Sequence, residues 1–200
     1  PTSTPTPTAA AIDITTTPDV VTPEWVDAVV NHLLTEYGKL GAEILAEPTG
    51  DDASVITPYA DRLKALFAGQ YLQRQGVALA EIGTDADDIR IQLLPPADFI
   101  GLRFNTDFVQ FAEPACVIAI GRISRAGTIP GGGYLPAISA VSLARTTGPD
   151  AGINPSGWVI ADELYNVDAD GAPLPDETLT GSTLDAYTSL LDNDCTGGTP

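Results

Sequence analysis

The chain has 200 residues, 27 of them acidic and 9 basic, which gives a formal net charge of −18. With 44% hydrophobic residues it can build a substantial core, and its length suits one folded domain. Such an acid excess lacks the cationic footprint that holds DNA or RNA and is repelled by anionic lipid headgroups, so cations, basic protein surfaces and uncharged partners remain.

The N-terminal stretch PTSTPTPTAAAIDITTTPDVVTP is dense in Thr and Pro and holds no Lys or Arg. It has too little apolar surface to offset its ordering entropy, and its prolines bias it toward extended polyproline II. Residues 1–21 therefore read as a Thr/Pro-rich stalk. A chain that begins at Pro1, ahead of such a stalk, is expected to be an exported, lipoprotein-like protein that has lost its signal and works outside the cell or on its surface.

A folded body is expected over 22–180. Thr22-Pro23-Glu24 is a helix start: an N-cap hydroxyl, a proline at the first helical position, and an acid at the positive end of the dipole. Apolar residues then recur at helical spacing from Val26 to Leu45, which predicts a helix over 23–46 ended by Pro48 and Gly50. Thr57-Pro58-Tyr59 repeats the signal and predicts a second helix over 58–75, capped by Gly76 and paired with the first as a hairpin.

From Val77 the pattern shifts toward alternation and β-branched runs. Strands are predicted over Ile89–Leu94, Asp107–Phe111, Cys116–Ser124, Ala137–Arg145 and Trp158–Tyr165. A Gly/Pro loop is predicted over 126–136 and a turn-rich stretch over 146–157. After Arg145 there are ten acidic residues and no basic one, and 181–200 reads as an acidic tail with a short helix over 183–191. Helices first and strands afterwards argue for an α+β fold with an antiparallel sheet.

Few constellations carry chemistry. Asn166, Asp168 and Asp170 present oxygens on alternate residues, Gly171 allows a sharp turn, and Glu177 stands at position 12, which is calcium-loop spacing. The competing reading is a hairpin turn leading into an acidic tail, because the preceding segment reads as a strand. Ca²⁺ is therefore the only cofactor the pattern suggests. Asp85, Asp87 and Asp88 read as a solvated turn.

His32, the single histidine, has no Cys or second His at ligand spacing, which argues against zinc or a triad built on it. Gly131–Gly133 lacks the Lys-Ser/Thr of a phosphate loop. Asp98, Asp107, Glu113 and Tyr134 are the groups that could line a cavity, but no spacing pairs them, and no catalytic residue is assigned. Trp25, Tyr71, Trp158 and Tyr165 read as core. Cys116 and Cys195, in an exported chain, are expected to form a disulfide; closing about eighty residues would contribute on the order of 4 kcal/mol.

The layout resembles the NTF2-like (cystatin-like α+β cone) fold, and small exported actinobacterial proteins within it that begin with a Thr/Pro-rich stalk. The resemblance is carried by Pro58-Tyr59 through Gln75-Gly76, by the Cys-bearing strand Ala115–Ile120, and by Asn154-Pro155-Ser156-Gly157-Trp158-Val159 leading into the last strand. It spans residues 22–168 and implies a helical hairpin packed on a curved antiparallel sheet around a conical apolar cavity. It also implies a binding or assembly role more often than an isomerase or dehydratase. None of the family's catalytic sets lies on this chain. The leading expectation is an exported non-enzymatic binding or assembly module on a flexible stalk, with a protein partner or self-association. The alternatives are a structural subunit of an extracellular or virion-like assembly with an ordered N-terminal tail, and a cavity isomerase or dehydratase. No nucleic acid and no membrane insertion of the body are expected.

Overall fold

The computed structural model describes residues 12–46, 53–84, 101–126, 137–146 and 152–165. Helix α1 runs over Pro23–Ala46, a 3-10 turn over Ala53–Tyr59, α2 over Ala60–Leu66 and α3 over Gly69–Thr84. Strands β1 (Gly101–Glu113), β2 (Cys116–Ala126), β3 (Ala137–Arg145) and β4 (Trp158–Tyr165) form a four-stranded antiparallel sheet in sequential order. This is an α+β architecture.

The start of α1 follows the expected chemistry. The Thr22 hydroxyl accepts from the Trp25 N–H at 3.3 Å, and the Thr22 carbonyl takes the first helical bond from Val26 at 3.1 Å. The Glu24 carboxyl sits below its usual range, held there by its own backbone N–H and then by the Thr22 hydroxyl. The stripe from Val26 to Leu45 is buried as its spacing requires.

The second helix differs from its expected form. It starts at Ala60 after a 3-10 turn, with no side-chain cap, and is cut at Phe67–Ala68. Phe67 is extended (φ −135°, ψ 155°) and forms a parallel bridge with Ile160, while the Ala68 N–H donates to the Ile160 carbonyl at 2.9 Å. Gly69 restarts the helix at φ +53°, in the left-handed region, where a Cβ would also press to 3.3 Å of the Ala161 carbonyl. The helix then passes through the buried Gly76, so no cap forms there and α3 reaches Thr84.

Helices cover one sheet face. Phe104, Val117, Ala119, Val141, Leu143, Trp158 and Ile160 join the α1 stripe, Leu66, Phe67, Tyr71 and Leu79 in a single core. Its rings meet edge to face: Trp25–Trp158 at 5.9 Å, Tyr37–Phe67 at 5.2 Å and Phe67–Tyr71 at 5.0 Å. Cys116, Ile118 and Ile120 share the opposite face of β2 and are buried as well.

Both sheet edges are covered in part. The Asn31 amide grips β1, donating to the Phe104 carbonyl at 2.7 Å and accepting its N–H at 2.8 Å, and Asp27 accepts the Thr106 N–H at 2.6 Å. On β4 the Ile160 carbonyl takes Ala68, and the Glu163 carbonyl accepts Arg74 at 3.1 Å. The Asp162 carboxylate receives both Arg74 and, at 2.7 Å, the Glu163 N–H. Unpaired strand edges invite other strands, and here side chains of α1 and α3 occupy those positions instead.

Candidate functional site

The end of the sheet where β4 begins gathers the most polar chemistry. Asn154 is fully buried and spends its whole amide on backbone and one hydroxyl. Its Nδ2 donates to the Ala65 carbonyl at 2.6 Å and the Trp158 carbonyl at 2.7 Å; its Oδ1 accepts the Ser156 N–H at 3.2 Å and the Ser156 hydroxyl at 2.7 Å. The Trp158 N–H in turn donates to Ser156 Oγ at 3.1 Å. The Asn154–Gly157 turn thus ties the end of α2 to the start of β4. His32 pins the residue before it: Nε2 lies 2.8 Å from the Ile153 carbonyl, which accepts only, so that nitrogen carries the hydrogen.

Trp158 is the anchor of this end. Its ring is buried against Trp25, and the Arg145 guanidinium stacks on it at 4.6 Å from the centroid. Above them lies the segment Ile12–Thr22. The Thr17 hydroxyl oxygen accepts the Trp158 indole N–H at 2.9 Å and an Arg145 N–H at 2.6 Å. Ile14 and Val21 pack against the core on either side of this clasp. The arm also carries its own turn: the Thr15 hydroxyl (2.7 Å) and N–H (2.9 Å) donate to Asp13 and hold that exposed carboxyl below its usual range. Residues 12–21 of the expected stalk therefore lie against the body, and 1–11 fall outside the described residues.

The β1–β2 hairpin reaches the same end, where the Arg145 N–H donates to the Ala115 carbonyl at 3.1 Å. Register shifts at Asp107 and Gln110 place Phe108 opposite Ile120 and Phe111 opposite Ile118. Two phenylalanines three apart thereby share the face turned away from the helices, and they remain 39% and 37% exposed. Beside them Asp107 pairs with Arg122 at 3.6 Å.

Of the residues singled out by sequence, Cys116 is buried at the first position of β2, and Cys195 lies outside the described residues. Asn166, Asp168, Asp170 and Glu177 lie outside them too, as do Asp98 and Tyr134. Asp107 and Glu113 are exposed on β1, so neither enters the interior where a cavity acid would stand. Register explains Asp107, which is the extra residue at a bulge.

Sequence reasoning missed Glu163. Strict alternation from Trp158 would put Asp162 inward and Glu163 outward. A register shift between Leu143↔Ile160 and Ser142↔Asp162 makes Ala161 the extra residue and sets Glu163 opposite Val141, on the helix-covered side, where it is 2% exposed. Thr106 Oγ1 and Ser139 Oγ, flanking Gly121 in one cross-strand row, are buried with no hydrogen-bond partner among the described residues. The Phe104 ring lies over that glycine. Thr17, Asp27, Asn31 and Asn154 were also missed, because short polar residues in loops and on helix faces carry no periodic signal.

Among the described residues no group of three or more His, Cys, Asp or Glu could hold a metal ion, and no helix is long and apolar enough to cross a membrane. Compared with known protein families, curated proteins and solved structures, the chain matches none of them.

Proposed function

We propose that this chain is an exported, non-enzymatic binding module of NTF2-like layout, displayed by its Thr/Pro-rich N-terminus. The clasp at Thr17 supports this reading. It fastens residues 12–22 across Trp158 and Arg145, at the C-terminal end of the Thr/Pro-rich stretch. With both sheet edges held in part by helix side chains, the reading places partner contact on a face, and the exposed Phe108 and Phe111 mark it. Aromatic side chains at an accessible rim are the kind of groups that dominate protein recognition. The partner is a protein with an apolar patch; basic residues around that patch would complement the −18 charge of this chain.

The test compares the full chain with its F108S/F111S variant in enrichment from cell-envelope fractions, alongside protease treatment of intact producing cells. The expected results are removal of the protein by external protease, and a partner held roughly tenfold or more weakly by the variant, as suits loss of two central apolar contacts. Identical partner sets for the two chains, or a protein that external protease cannot reach, overturns the proposal.

A further inference from the structure

The arm Ile12–Thr22 is built as a detachable insert. Among the described residues, its hydrogen bonds to the rest of the body beyond its junction with α1 all converge on Thr17, as acceptor from Trp158 and Arg145. Its Asp13–Thr15 turn is internal, so its shape there does not depend on the groove. Ile14 completes the docking as a partly buried apolar contact, and Val21, next to α1, packs on the core of its own body. Between the clasp and α1, the chain bends at Asp19–Val20, and both residues are exposed, Val20 to 74%. Neither side chain of this bend is packed on the body.

We infer that the groove over Trp158 and Arg145 accepts the same arm from a second copy of this chain, giving an arm-exchanged dimer. The occupant is set by what already sits there: an identical arm makes the same Thr17 and Ile14 contacts in trans as in cis, while Val21, on the α1 side of the bend, stays on its own body. The exchange therefore gives up no docking contact and changes only the hinge and the association entropy.

The experiment measures mass by size exclusion with light scattering on the full chain and two hinge variants. Deleting Asp19 and Val20 shortens the connection between the clasp and α1 by up to about 7 Å and removes the bend, which disfavours docking of the arm on its own body. The substitutions Asp19→Pro and Val20→Pro straighten the same bend without shortening it. Dimers are expected for both variants at protein concentrations where the wild type is largely monomeric. Adding Thr17→Val to either variant should weaken the dimer by roughly thirtyfold or more, because each of its two clasps loses the acceptor of two hydrogen bonds. If the deletion fails to fold, the proline variant decides alone. Hinge variants that stay monomeric at millimolar concentration overturn the inference, and so does a dimer indifferent to Thr17→Val, which would be held by another surface.

Discussion

Replacing Asn154 with Ala should be among the most costly single changes outside the apolar core. The side chain is fully buried, with four hydrogen bonds at 2.6, 2.7, 3.2 and 2.7 Å. After truncation the Trp158 carbonyl keeps only a long contact from the Ser156 hydroxyl at 3.4 Å, and that hydroxyl can turn to compensate. The Ala65 carbonyl and the Ser156 N–H lose their partners in a buried setting. Each orphaned group costs about 1–3 kcal/mol, so the total is about 3–4 kcal/mol, with water entering the space returning part of it. That is a large share of the roughly 5–15 kcal/mol that holds a domain together. Urea unfolding followed by tryptophan fluorescence reads it directly, because Trp158 sits in the network. The midpoint should fall with the slope unchanged. Asn154→Asp keeps the shape but turns a carboxylate toward two carbonyl oxygens, so at neutral pH it should be at least as unstable as the alanine variant. A loss below about 1 kcal/mol for Asn154→Ala at constant slope would refute the assignment of this turn as the tie between α2 and β4.

Two further consequences concern the core. A Cβ at position 121 would collide with the Asn105 carbonyl oxygen and stand 2.8 Å from the Phe104 ring, so Gly121→Ala should cost about 2–3 kcal/mol in the same assay, and a neutral result would show that β1 and β2 can separate freely. Burial raises the Tyr37 phenol well above its usual 10.0. Above that value the unfolded chain has lost a proton that the native state keeps, so stability falls by about 1.4 kcal/mol per pH unit from this group. Tyr37→Phe, which gives up a 3.3 Å bond to the Gln75 carbonyl, should be less stable than wild type around pH 9, and the gap should close or reverse around pH 11. A gap constant across that range would mean that Tyr37 titrates normally.

What the sequence determined by itself is local. Helix α1 was legible because one apolar stripe at helical spacing follows a Thr-Pro-Glu start, and each of those signals acts within a few residues. Strands β3 and β4 were legible to the residue, Ala137–Arg145 and Trp158–Tyr165, because β-branched runs bounded by turn residues leave little choice. The tertiary structure decided everything that depends on a distant partner. The break at Phe67–Ala68 exists because Ile160 bonds there, across more than ninety positions of chain. The register shifts at Asp107, Gln110 and Ala161 follow from pairing and sheet twist, and they determine which side chains share a face. Alternation alone places Phe108 and Phe111 on opposite faces and Glu163 outward; pairing reverses both. In the same way Thr17 looked like one more stalk threonine. Only a tryptophan and an arginine brought together by β3 and β4 give its hydroxyl a role, since a hydrogen bond requires proximity that no local pattern encodes.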